Sequence, residues 1–377
     1  MPKTKVETTA DTACTKCSTA VPRIDFEQVK DTPDTLRHDM TQALSEHGVV
    51  VLENVLQSAE CDEAMQALLT SLRTLNPALK KTSPQNWSRS ELPRGPRAGM
   101  FQSLVAHLPA VWKLRTDDRI QAIFRHAYSG TRGEELSRFV CSCDGLTLKP
   151  FSAPFHNDDA ADWAHVDQVQ DSDQAFKCIQ GQVVLTNTSA AFRCSPKSHH
   201  FLDSLLEADR GKTPAKAKSN FHMFSERGCN AARRLVQEHG GSYQTCVHAP
   251  KGSVILWLSS LIHSSRGQDE QALVDPSDRW SQWRGVVYVC YRPRADVDDD
   301  HVATLERAFA SNRCTSHWGS KIFPKSSGRH RSSPRIQPFV DSPDKVYALD
   351  GLRPERTPRV AALLQGTDWP ATTKQQQ

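Results

Sequence analysis

The chain has 377 residues, 38% of them hydrophobic, and 47 Lys and Arg against 43 Asp and Glu leave a formal net charge of +4. That is enough for one large domain or two small ones around a buried core, and the slight charge does not by itself mark a polyanionic partner. Apolar runs such as Val49 to Leu52 and Val254 to Leu258 fall far short of the roughly 20 residues that cross a bilayer, and the polar N-terminus lacks the apolar stretch of a secretory signal. The expectation is an intracellular protein, in cytoplasm or nucleus, that is not secreted and has no membrane association.

Residues 1–21 are polar and Thr-rich and read as a disordered tail. The 11 cysteines are scattered through a chain without a signal, so they read as reduced thiols. Cys14 and Cys17 lack the second pair that a zinc site needs.

From Asp34 an amphipathic helix carries Leu36, Met40, Ala43 and Leu44 on one face and closes at Gly48. Val49 to Leu52 reads as a strand, and Ser58 as the N-cap of a second helix with Met65, Leu68, Leu69, Leu72 and Leu75 at helical spacing. Lys80 to Gly99, rich in Ser, Pro and Arg, reads as a loop; a third helix follows near Asp118 to Tyr128. From Phe139 the character changes to short Val-, Leu- and Thr-rich runs broken by Gly, Pro and Asp, as in an antiparallel barrel or sandwich. The best strands are Gln180 to Thr186, Ser253 to Leu258 and Gly285 to Tyr291. Leu205 to Gly241 reads as an insertion, with a Lys-rich piece at Gly211 to Lys218, and the segment after Asp350 shows little pattern. The expected organisation is a single domain over 22–345, with a helical front end at 30–130, a β-rich core at 135–295 and an insertion at 205–241, then an extension over 346–377.

The segment Trp163-Ala164-His165-Val166-Asp167-Gln168 sets an imidazole and a carboxylate two residues apart, so on an extended backbone both point to one side. The apolar run Val254 to Leu258 leads into Leu261-Ile262-His263, which delivers a second histidine. Two histidines and one carboxylate on one face of an octahedral ion leave the opposite face open, as oxygen-activating iron(II) requires. Arg284 begins the strand that follows; an arginine entering such an interior needs an anion, and the far carboxylate of 2-oxoglutarate suits its planar fork. Arg266 is the rival for that carboxylate, but sits in a loop between His263 and Arg284. His156 and Asp158 make a second His-x-Asp in a Pro- and Asp-rich stretch, whereas His165 is followed closely by the apolar segment from Ala175 to Thr186 and is preferred. His199 and His200 read as turn residues.

At this point the chain resembles the phytanoyl-CoA dioxygenase-like branch of the iron(II)- and 2-oxoglutarate-dependent oxygenases. The resemblance runs from Glu46 to Trp318 and rests on HGVVVLENV, WAHVDQ, CIQGQVVLTNT with the turn SPKSHH, APKGSVILWLSSLIHSS and RGVVYVCYRPR. It implies a mainly β fold with flanking helices, a double-stranded β-helix (jelly-roll, cupin-like) barrel. It also implies a dioxygenase that uses Fe(II), 2-oxoglutarate and O2, and couples decarboxylation to succinate and CO2 with hydroxylation of an organic substrate. His165, Asp167 and His263 match the iron ligands and Arg284 the co-substrate arginine. Gln168, Gln180 and Thr186 are candidates for contacts behind the ligands or to the co-substrate. Related halogenases lack the carboxylate, so Asp167 points to hydroxylation.

A small-molecule substrate is the first expectation. The basic stretch Lys321 to Arg331 leaves nucleic acid open as a partner, and with it a modified-nucleobase oxygenase; Arg313, Thr315, His317 and Trp318 are candidates for the substrate mouth. The alternative from another class is a non-catalytic cupin-like binding module, which has no need of a buried arginine facing an open metal position.

Overall fold

A computed structural model of the chain describes residues 21–97, 99–150, 163–171, 174–210, 220–265, 277–324 and 331–370. The tail, Cys14, Cys17, His156, Asp158, Gly211 to Lys218 and Arg266 lie outside the described residues. The first long helix, Pro33–His47, buries Leu36, Met40, Ala43 and Leu44, and ends where Gly48 takes a φ of 75° and donates to Leu44 O. Helix Ser58–Leu75 starts at the residue expected to cap it: Gln57, one position earlier, is the N-cap and its N–H meets the Glu60 carboxylate at 2.7 Å. Both helices lay an apolar stripe on the core, which offsets the entropic cost of ordering them.

The strands sort into two main sheets. The larger has seven strands in the order Arg23–Asp25, Val49–Glu53, Val254–Leu258, Ile179–Val184, Trp283–Val289, Leu146–Pro150 and Met100–Phe101, and only its first pair is parallel. The smaller has five antiparallel strands in the order Thr245–Ala249, Thr188–Cys194, His263–Ser265, His165–Val166 and His222–Met223. A separate two-stranded piece pairs Tyr291–Pro293 with Phe139–Cys141. Among the described residues no pairing closes these sheets into one barrel. The main strands are buried on both faces, which is why they read as nearly continuous apolar runs.

The insertion has a core of its own. Helices Leu202–Arg210 and Glu226–Glu238 gather Leu202, Leu205, Leu206, Phe224 and Ala232 around Ala164, Val166 and Ile262. The segment after Asp350 also has more order than its sequence suggests: Thr357 caps helix Pro358–Gln365, which buries Val360, Leu363 and Leu364 against the main core. No helix among the described residues is long and apolar enough to cross a membrane.

One glycine ties the front end to the sheet. Gly252, with a φ of 88°, donates to Val184 O and accepts from Val55 N and Leu56 N, and a Cβ on it would lie 2.2 Å from Leu56 O. Gly252→Ala is expected to cost about 2 kcal/mol or more of stability, read as a lower urea midpoint at an unchanged slope.

Candidate metal centre

His165 and His263 are direct register partners on adjacent antiparallel strands of the smaller sheet. Each uses its Nδ1 in a 2.9 Å hydrogen bond to the carbonyl two residues upstream, Trp163 O and Leu261 O. Those carbonyls can only accept, so Nδ1 carries the proton and Nε2 keeps its lone pair for a metal. Asp167 Oδ2 lies 3.3 Å from His263 Nε2 and 3.9 Å from His165 Nε2, and the ligand atoms of the three residues all fall within 4.8 Å of one another. Donors about 2.1 Å from a shared ion and a right angle apart lie about 3 Å from each other, so the Asp167–His263 pair already stands near ligand spacing and His165 stands wider.

The carboxylate is held from several sides. Asp167 N donates to Ser259 O and Trp318 Nε1 donates to Asp167 O, both at 2.9 Å. Gln180 Nε2 lies 3.0 Å from both Asp167 Oδ2 and Ser259 Oγ. Burial pushes His165 down to about 3, with His263 adding to the effect. Burial alone would raise Asp167, but the imidazoles of His317, His263 and His165 outweigh it and hold the carboxyl well below its usual range. A neutral imidazole beside an ionised carboxylate is the protonation state in which ligands bind metal.

These groups open on a cavity of about 640 Å³ that also takes in Arg284, Tyr288, Gln180 and Gln182 from the larger sheet. Arg284 is buried at 3% exposure on strand Trp283–Val289. Tyr288 follows four residues later and its hydroxyl sits 2.9 Å from Thr147 Oγ1. Burial raises the Tyr288 phenol and the nearby Arg284 guanidinium opposes the shift. An arginine, a phenol and two carboxamides thus share the cavity with the three ligands, a donor set suited to a dicarboxylate.

No family model matches the chain. Among curated proteins it is 22% identical over 287 residues to Ava biosynthesis cluster protein O of Aspergillus versicolor, covering 75% of this chain and 86% of that one. Among solved structures it is similar to the hypothetical protein JW0805 from Escherichia coli, with a TM-score of 0.53, 10% identity and 85% and 86% of the two chains covered. It is also similar to GlcNAc Inducible Gene 2, GIG2 (DUF1479), from Candida albicans, with a TM-score of 0.50, 15% identity and 92% and 83% covered. At these identities the likeness shows a shared fold over most of the chain.

The remaining sequence candidates divide by position. Gln180, His317 and Trp318 line the cavity. Thr186 does not: its hydroxyl accepts from Gly285 N at 3.1 Å and braces the strand that carries Arg284. Gln168 is turned away, its amide spanning Asp171 O and Gln174 O at 2.9 and 2.8 Å. Arg313 bonds Phe323 O, and Thr315 Oγ1 accepts from Cys143 N at 3.0 Å. His199 is a turn residue on Ser45 O at 3.1 Å. The cavity walls that sequence reasoning missed include Gln182, Asp144, Trp163, Phe221 and Met223. Trp163 stacks on His165 at 4.5 Å between centroids and carries the Arg97 guanidinium at 4.4 Å.

Proposed function

We propose that the protein is an iron(II)- and 2-oxoglutarate-dependent dioxygenase of jelly-roll type that hydroxylates a small organic molecule. The observation that carries this reading is the convergence of His165, Asp167 and His263 on a cavity that also holds the buried Arg284. Iron bound there would supply the oxidising chemistry, using O2 and 2-oxoglutarate and releasing succinate and CO2. The three ligands hold the ion, Gln180 orients Asp167, and Arg284 beside Tyr288 receives the far carboxylate of the co-substrate. Trp163, Phe192, Trp257 and Trp318 wall the site with aromatic surface, which limits water around the reacting centre. A small molecule is favoured because the site is a cavity walled by apolar side chains, among them Phe192, Phe221, Met223, Trp257 and Phe323. The curated relative is named for a biosynthesis cluster, which accords with a small-molecule substrate.

The test is turnover without substrate. Anaerobic protein receives Fe(II) and 2-oxoglutarate, then O2, and succinate is followed for wild type, His165→Ala and Arg284→Ala. Succinate from wild type and from neither variant is the expected result. Wild type that binds neither iron nor 2-oxoglutarate would instead be a cupin-like binding module.

A further inference from the structure

Two large hydrophobic side chains stand exposed among the described residues, Phe221 at 47% and Met223 at 51%. Isolated exposed apolar residues are ordinary, but these two sit two positions apart within the insertion and both line the cavity of the metal centre. Alternation explains their direction. His222 between them is buried and turned the other way, its Nε2 2.8 Å from Asp209 Oδ2 on helix Leu202–Arg210. That pair anchors the strand, whose Met223 is the register partner of His165, and the Phe221 ring lies 5.2 Å from the His165 ring. Phe323 and Pro324 contribute further apolar surface to the same cavity.

Inside the cavity lies a carboxylate that the metal centre does not use. Asp144 is 8% exposed, and its one side-chain hydrogen bond among the described residues is from Gly145 N to Oδ1 at 2.7 Å. The adjacent Arg115 donates at 2.6 Å to the Asp144 backbone carbonyl, not to the carboxylate. Burial raises the Asp144 carboxyl, with His317 and Arg115 opposing it. A buried carboxylate with a single amide donor is costly, and a cation arriving with a ligand offsets that cost.

We propose that the substrate is an apolar, ring-bearing amine, its rings held by Phe221, Met223 and Phe323 and its ammonium group by Asp144. The reaction rests on the oxygenase reading; the binding does not. Arg97 and Lys321 also line the cavity, so an acid is the rival ligand and the test must separate the two.

The metal-free full chain, with 2-oxoglutarate present to cover Arg284, is titrated calorimetrically with 2-naphthylmethylamine, 2-naphthalenemethanol and 2-naphthoate, which share one ring system and differ in charge. The amine is expected to bind about tenfold tighter than the alcohol, the value of one charge-assisted hydrogen bond, and the carboxylate weakest. Asp144→Asn should erase the preference for the amine, and Phe221→Ala should weaken all three about tenfold through lost apolar contact. A carboxylate that binds as well as the amine, or no measurable binding of any probe to wild type, overturns the proposal without recourse to variants. Absorbance of the same protein with Fe(II) and 2-oxoglutarate under argon is recorded separately. Its absence would defeat the oxygenase reading and leave the calorimetric ranking standing.

Discussion

Asp167→Ala is expected to abolish iron binding, whereas Gln180→Leu is expected to weaken it about 10- to 100-fold, as outer partners of metal ligands commonly do. The two substitutions separate holding the metal from orienting the ligand. Asp167 supplies the sole carboxylate of the triad, and without it two neutral imidazoles must hold a divalent ion with no charge compensation. Gln180 acts one step back. Asp167 Oδ2 can only accept, so the Gln180 amide nitrogen faces it at 3.0 Å, and a second N–H reaches Ser259 Oγ at the same distance. Leucine at 180 fills similar volume and leaves Asp167 free to rotate toward His317, whose Nδ1 is 3.8 Å from Oδ2. The readout is the absorbance change when Fe(II) is titrated into protein and 2-oxoglutarate under argon. Equal affinities for wild type and Gln180→Leu would show that Asp167 needs no such support; iron binding at wild-type strength by Asp167→Ala would remove the triad from the site.

The triad was legible because each part of it is local. His165 and Asp167 are two residues apart, and His263 closes an apolar run, so period-two alternation and strand endings were enough to nominate them. The same alternation accounts for a failure. Gln168 follows Asp167 directly, so its side chain leaves on the opposite face and braces a turn instead of the site. Gln182 could have been found by that rule, two residues beyond Gln180 on a strand otherwise apolar. Asp144 and Phe221 were not legible in this way. Asp144 sits in a loop and Phe221 just before a two-residue strand whose approach to His165 depends on pairing between distant segments, and local sequence carries no record of that pairing. The C-terminal helix was missed despite its cap signals, Thr357 followed by Pro358 and a Gly366 stop, because eight residues are too few for an apolar stripe to stand out.

Stability is expected to fall steeply as pH drops from 7 to 5, by about 2 kcal/mol for each of three histidines outside the metal centre. His107 is fully buried, with Nε2 3.0 Å from Arg313 O and Nδ1 accepting from Trp112 Nε1 at 3.2 Å. Indole can only donate and the carbonyl only accept, so the ring is locked neutral, and burial pushes it down to about 3. Burial likewise takes His199 to about 4, with His200 adding to it, and His301 to about 4, with Arg292 adding to it. Their packing leaves no room for a new partner: a Cβ on Gly48 would meet His199 Nδ1 at 2.6 Å, and one on Gly319 would meet His301 Nε2 at 2.7 Å. In each case the folded pKa lies below the unfolded value near 6.5, so the unfolded chain binds the proton first, and stability is lost from about pH 6.5 down toward 4. Asp144, raised by burial, opposes this with a single proton, and the depressed carboxylates Glu60 and Glu306 act only below about pH 4.5. A combined loss of about 6 kcal/mol rivals the whole stability of an ordinary domain. The check is the urea midpoint at pH 7, 6 and 5. A midpoint unchanged across that range would mean that these imidazoles are not held neutral, and His107→Gln, which keeps a donor for Arg313 O, should flatten the dependence by one proton.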